Sequence, residues 1–333
     1  MGQLPEAAGR RPHRGTDGAV RGIRGRLTRT RTAWTAPTGR RAGTAPRSGP
    51  ERPGRRQWGN PVGIRVEEIT CKSALTGSGS HYRLNPYGGC EHACAYCYAT
   101  YLARWRGQSG PWGSWVQVKT NIPRVLEREL ARKQGIEVFL STACDVYQPV
   151  EEKYRLTRQC LSVLALAAQR EDGPGVRVLT KSDRVLHDVD VLTAFPPDRL
   201  QVGFSITTHD DETAALIEPG ASAPSRRLAA VTTLTGAGIR AGLFVSPVLP
   251  YITERDLPAL LDRAEQAGCR FVGFDLLNYL DQHVGGTLRE AYEHLGADAL
   301  ARLEEARHSA RYEPAVRRLI SRAMRSRTFD DMQ

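Results

Sequence analysis

Three closely spaced cysteines are the residues of this chain best suited to chemistry. The stretch Asn85-Pro86-Tyr87-Gly88-Gly89-Cys90-Glu91-His92-Ala93-Cys94-Ala95-Tyr96-Cys97-Tyr98 sets Cys90, Cys94 and Cys97 at CxxxCxxC. A short loop with that spacing can wrap three thiolates round one metal centre, and Gly88 and Gly89 let its backbone approach closely. The number of sulfurs separates two chemistries. A structural zinc ion is normally closed by four protein ligands, so zinc would have to recruit His92, His81 or Cys71. A 4Fe-4S cluster held by three cysteines keeps one iron open to an outside ligand, as a cluster used for chemistry requires. The spacing and its place after a first predicted strand favour iron-sulfur, with zinc as the rival.

Such a loop needs a frame, and the hydrophobic pattern supplies one. Short apolar runs predict strands over Tyr82 to Tyr87, Glu137 to Ser141, Val176 to Thr180, Leu200 to Ile206, Ile239 to Val245 and Arg270 to Leu276. Helical periods lie between them. Arg155 to Ala168 places Leu156, Cys160, Leu161, Val163 and Leu164 on one face, and Pro123 to Arg132 groups Val125, Leu126 and Leu130. Pro314 to Met324 carries an apolar stripe with Arg317, Arg318 and Arg322 outside it. The expected fold class is α/β, a partial (β/α)6 TIM-like barrel with a core over about 82–280, followed by two C-terminal helices within 286–326. Functional side chains of such folds gather at the C-terminal ends of the strands, where the loops surround one mouth.

With the frame in place the resemblance becomes specific. CxxxCxxC with an aromatic, Tyr96, just before its last cysteine and after the first strand of a βα series resembles the radical S-adenosylmethionine superfamily. Further stretches resemble its spore photoproduct lyase-like subgroup: Asn85-Pro86-Tyr87, Cys144-Asp145-Val146-Tyr147-Gln148-Pro149-Val150-Glu151, Leu156-Thr157-Arg158, Leu179-Thr180-Lys181-Ser182, Phe204-Ser205-Ile206-Thr207-Thr208 and Glu218-Pro219. They cover roughly residues 62–280. One departure is Gly88, where the subgroup often has a basic residue. The resemblance implies an enzyme in which a 4Fe-4S cluster on Cys90, Cys94 and Cys97 cleaves S-adenosyl-L-methionine, and the resulting 5′-deoxyadenosyl radical abstracts hydrogen from a substrate. It implies an electron donor such as a flavodoxin or ferredoxin, and it leaves the substrate unknown, with a nucleic-acid lesion as one candidate.

Carried over residue by residue, the resemblance places Tyr96 beside the adenine. Asp145 would accept from the amino group of S-adenosylmethionine, Lys181 would pair with its carboxylate, and Ser205 would donate to that carboxylate. Lys181 is one of five lysines against 42 arginines. Cys144 lies near the position where the subgroup has a hydrogen-donating cysteine, which makes it the candidate catalytic residue. Cys160, on an apolar helical face, and Cys269, at a strand edge, read as structural. Trp105, Trp112 and Trp115 read as packing of a Gly-rich surface loop in preference to a substrate lid. His209, Asp210 and Asp211 allow acid-base work, but the two aspartates with Glu212 equally form the acidic first turn of a helix.

The net charge of +11 suggests nucleic acid until it is located. Residues 1–57 hold 14 arginines against three acids, and the remaining chain balances 33 basic with 33 acidic residues. The expected organisation is therefore an Arg-rich disordered tail, 1–57, and a neutral radical S-adenosylmethionine domain, 58–333. The alternative function is a nucleic-acid-binding protein whose tail, with Trp34 in it and Trp58 next to it, engages the strand while the metal site is structural. Seven cysteines, an odd number, do not suggest a disulfide framework, and no apolar run follows Met1. A cytoplasmic, reducing setting without membrane attachment is expected.

Overall fold

The structure is a computed structural model that describes residues 63–105, 107–277 and 287–330. The expected tail, with Trp34, and the adjoining Trp58 lie outside the described residues. The order of strands is β1 (Arg65–Ile69), β2 (Leu75–Ser78), β3 (His81–Leu84), β4 (Tyr87–Gly88), β5 (Trp115–Lys119), β6 (Glu137–Leu140), β7 (Gly175–Thr180), β8 (Leu200–Ser205), β9 (Ala241–Val248) and β10 (Val272–Leu276). Seven form one sheet in the order β10-β9-β8-β7-β6-β3-β2. Its pairs are parallel from β3 to β10, and β2 closes the edge antiparallel to β3. This is the expected partial barrel, with its six parallel strands where the apolar runs place them.

The alternation of side chains explains how the sheet packs. Val138, Leu140, Val176, Val178, Leu200 and Val202 are all at most 4% exposed and form one face of the core. Against it lie helices such as Leu156–Ala168, whose Cys160, Leu161 and Leu164 are fully buried. The opposite face is concave and carries polar residues, so each strand is apolar outward to the helices and mixed inward.

The first predicted strand differs from the observed one. Its run is cut at Asn85-Pro86, because proline has no N–H to give to a ladder. Lys119 Nζ donates to the Asn85 carbonyl at 2.6 Å, and Tyr87–Gly88 turns away to pair antiparallel with β5. With β1 parallel to β5, this makes a second sheet of three strands, of which the sequence reading places only Tyr87 in a strand. The stretch around Trp115 contains that strand: Trp115, Val116 and Val118 are buried in it.

Helix positions follow the periodicity closely, with Ile122–Leu130 and Leu156–Ala168 at the expected places. The C-terminal region holds three helices instead of two: Thr287–Leu295, Ala297–His308 and Tyr312–Met324. Gly296, at φ +107, divides the first pair with a conformation that side-chain-bearing residues avoid. Val316 is buried, and Leu319, Ile320, Ala323 and Met324 pack against the main core as the stripe predicts. No helix among the described residues is long and apolar enough to cross a membrane.

Candidate active site

The cysteine loop leaves β4 and is held from both sides by backbone-reading contacts. Gly89 has φ +80, and a Cβ there would lie 2.4 Å from the Trp115 carbonyl, so both its conformation and its closeness require glycine. The buried Gln148 amide accepts from Glu91 N–H at 2.9 Å and donates to the Gly89 carbonyl at 3.3 Å. Glu91 in turn accepts from Val150 N–H at 2.5 Å. On the other side Ala95 N–H donates to Ile217 O at 2.8 Å and Gly220 N–H to His92 O at 3.0 Å. A Cβ on Gly220 would stand 2.3 Å from Glu91 O, so this second loop also touches the first through bare backbone.

Cys90, Cys94 and Cys97 all line one cavity of about 880 Å³ at the C-terminal ends of the strands. All are free thiols. Burial pushes the three thiols up from their ordinary value, and Asp145, Cys94 and Cys97 push Cys90 up further by like-charge repulsion. Three thiolates in so little water need a centre of positive charge, which a bound metal cluster provides by holding them deprotonated. Among the described residues no three His, Cys, Asp or Glu side chains form a group suited to a single metal ion. Of the side chains that could complete a zinc site, His92 and His81 line the cavity and Cys71 does not. His92 is 1% exposed, burial lowers its pKa to about 4, and Nδ1 is 3.4 Å from Asp145 Oδ2.

The residues expected at the cofactor come together on the same wall, since Tyr96, Asp145, Lys181, Ser205 and Cys144 all line the cavity. Lys181 Nζ donates to Ser205 Oγ at 3.0 Å and stands 5.5 Å from the centre of the Tyr96 ring. Ser205 Oγ itself donates to Ser246 O at 2.8 Å. The Asp145 carboxylate accepts from Tyr147 N–H at 2.9 Å, Thr180 Oγ1 at 2.8 Å and Lys181 N–H at 2.7 Å. Its oxygens thus tie the loop after β6 to the end of β7, and Asp145 N–H donates to Cys90 Sγ at 3.4 Å. Cys144 is 6% exposed and its thiol donates to Tyr87 O at 3.3 Å.

Beneath Tyr96 lies a group that the sequence reading did not single out as site residues. The Tyr96 hydroxyl donates to Glu218, which pairs with Arg227; both charged side chains are 1% exposed. Arg227 also donates to Ser222 O at 2.6 Å and to Ser205 O at 2.8 Å, so one guanidinium links the tyrosine's partner to the serine's strand. Burial alone would raise the Glu218 pKa, but Arg227 and Lys181 outweigh it and hold the carboxyl below its usual value. The dipeptide Glu218-Pro219 carried a signal in sequence; Arg227, next to Arg226 on the helix Pro224–Gly236, carried none.

The remaining candidates resolve as structure. Trp115 is a core residue of β5, and Trp112 packs edge-on to it at 5.7 Å while lining the cavity. Trp105's side chain lies outside the described residues. Asp210 caps the helix Asp211–Ile217 by accepting from Glu212 N–H at 3.0 Å, which is the helix-start reading, and His209 Nδ1 lies 3.5 Å from Asp256. Cys160 and Cys269 are buried, and burial pushes Cys269 up to about 12.

Comparison with known proteins places this geometry in a family. The sequence pattern of the radical SAM superfamily matches residues 84–264. The chain is 34% identical over 194 residues to an uncharacterized protein of Methanocaldococcus jannaschii, covering 57% of this chain and 70% of that one. It is 33% identical over 221 residues to an uncharacterized protein of Mycobacterium tuberculosis, covering 62% and 63%. Among solved structures, spore photoproduct lyase complexed with dinucleoside spore photoproduct superposes with a TM-score of 0.50 at 18% identity, covering 63% of this chain and 60% of that chain. A spore photoproduct lyase variant with bound AdoMet and the same photoproduct gives 0.52 at 16% identity, covering 78% and 76%. The chain therefore spans less than two thirds of the mycobacterial relative and of the first lyase. These likenesses to the lyases are likenesses of fold. Members of the matched family use a 4Fe-4S cluster with S-adenosylmethionine and need a reductant. With its three thiols, its partial barrel and a match over residues 84–264, this chain is an enzyme of the radical SAM superfamily.

Proposed function

We propose that this enzyme abstracts hydrogen from its substrate by the superfamily's radical chemistry, with the cluster on Cys90, Cys94 and Cys97. The observation that carries the reading is the convergence of those thiols with Tyr96, Lys181, Ser205 and Cys144 on one cavity. The bound cluster and S-adenosylmethionine supply a 5′-deoxyadenosyl radical. The chain's own residues bind and orient. Lys181 offers an ammonium beside Ser205 to a carboxylate, and the Tyr96 face offers a flat apolar surface for a purine ring. Asp145 shapes the site chiefly as a positioning residue, because three donors already occupy its oxygens; its N–H on Cys90 Sγ would tune that thiolate.

In this reading Cys144 is the hydrogen-atom donor to the product radical. Its S–H bond breaks, a C–H bond forms, and the sulfur is left as a thiyl radical that takes one electron from the reductant and one proton from solvent before another turnover. A flavodoxin or ferredoxin in a cytoplasmic setting is the reductant we infer. The fold likeness makes ultraviolet-irradiated DNA the first substrate to try, although the charge balance of residues 58–333 marks no basic stripe.

The test is anaerobic reconstitution with iron and sulfide, dithionite reduction and an assay for 5′-deoxyadenosine, beside Cys94→Ala. Formation by the wild type and not by the variant is the expected result. Stoichiometric zinc in place of four irons would overturn the reading in favour of a structural metal site.

A further inference from the structure

The cavity continues from the mouth down the concave face of the sheet, and its deeper wall has a chemistry that the cofactor residues do not use. Arg83, Phe139, Arg177 and Gln201 all line it. The strand registers pair Arg83 with Phe139, Phe139 with Arg177 and Arg177 with Gln201, so the four form a single row across β3, β6, β7 and β8. Side chains of one row share a face of the sheet. Neighbouring strands are about 4.8 Å apart, which puts the two arginine backbones roughly 10 Å apart with the Phe139 ring between them. Arg177 precedes Lys181 by four residues, so the row lies about 13 Å along the strand below the cofactor's end of the barrel.

The wall is built differently from an ordinary barrel interior, where branched apolar side chains fill the layers. Phe139 is 37% exposed, a large apolar ring left uncovered inside the cavity. Arg83 is exposed and has no carboxylate partner among the described residues. Arg177 touches Glu137 at 3.6 Å, a loose contact with an acid one row deeper that leaves the arginine side chain 39% exposed. The other acid of this wall, Asp275, is on β10, four strands from β6 at the far side of the sheet. The cationic side of the cavity is therefore the β3–β7 side, and His81 and Gln201 add polar groups beside it.

We infer that this row is the substrate subsite, and that it takes a substrate with an anionic oxygen group, phosphate or carboxylate, attached to a flat apolar ring. The two guanidiniums grip the anion, a fork geometry suited to either group, and the ring lies on Phe139. The inference rests on the radical reading above, since it is the placement of the cofactor at the mouth that makes the deeper wall the substrate's.

The test uses reconstituted holoenzyme saturated with S-adenosylmethionine and calorimetric titration of three probes: benzyl phosphate, phenylacetate and benzyl alcohol. At least one charged probe is expected to bind about tenfold more tightly than the alcohol, as a charge-assisted hydrogen bond would give. Which of the two it is tells phosphate from carboxylate. Arg83→Gln and Arg177→Gln should each remove most of that preference, and Arg124→Gln, on an outer helix, should keep it. Iron and sulfide content of each variant reports that it is folded. Charged probes that bind no better than the alcohol, or a preference that survives both cavity substitutions, would overturn the inference. A protein that fails to cleave S-adenosylmethionine overturns the radical reading instead, whatever the probes do.

Discussion

At the scale of single residues, the site separates ligands from the groups that hold them. In the proposed reading Cys94 is one of only three cluster ligands, so Cys94→Ala should lower 5′-deoxyadenosine formation by more than about 100-fold, beyond the cost of losing an outer partner. Cys144 stands apart from that set. Cys144→Ala should keep full iron content and change the product distribution or the number of turnovers, and unchanged turnover with unchanged products would remove its donor role. Glu218 is a buried charge whose worth is structural. Glu218→Gln leaves Arg227 without its counter-charge in a site 1% exposed, and urea unfolding at pH 7 should show a loss of about 3–5 kcal/mol. Because the folded carboxyl titrates below its ordinary value of 4.5, the wild type keeps this stabilisation above that pH and loses it as the pH falls through the lower folded value. The gap between wild type and Glu218→Gln should therefore narrow on acidification; a gap that stays constant would show that the pair is not titrating.

At the scale of elements, the cluster loop is shaped by its neighbours more than by itself. Gly89 combines positive φ with contact to the Trp115 backbone, so Gly89→Ala should destabilise the fold by roughly 2–4 kcal/mol and lower the yield of reconstituted cluster. The check is thermal unfolding with iron analysis, and a variant that unfolds and loads like wild type would show that the loop can move aside. The strand ends are tied in the same way. Asp145 joins the loop after β6 to β7, and Gln148 reads the cluster loop's backbone, so the loop that brings Cys144 to the cavity is also the one that fixes Cys90.

At the scale of the whole molecule, the neutral body and the Arg-rich first 57 residues make separate predictions. A chain starting at Trp58 should retain S-adenosylmethionine cleavage, measured as 5′-deoxyadenosine per reconstituted cluster. Loss of that activity with an intact cluster would make the first 57 residues part of the catalytic machinery. The partial barrel itself gives the reaction two zones, a cysteine-lined mouth and a deeper wall with Arg83 and Arg177, within one cavity of about 880 Å³.

The sequence alone determined what is local or periodic. CxxxCxxC is a nearest-neighbour pattern, and the six parallel strands and their helices follow from runs and stripes that span a few residues each, so both were legible. Strand β5 was not, because it is short, its first four residues are buried with no in-out alternation to mark it, and it follows a Gly-rich stretch that reads as loop. Nor were Gln148 and Arg227 legible as site residues, because a buried polar side chain and a solvated one have the same letter. Tyr96 and Glu218 are 122 positions apart, and only the folding of the sheet brings the hydroxyl to the carboxylate. The row of Arg83, Phe139, Arg177 and Gln201 is likewise a product of register: three strand pairings, each set by the burial of the opposite face, decide that these four side chains share one wall.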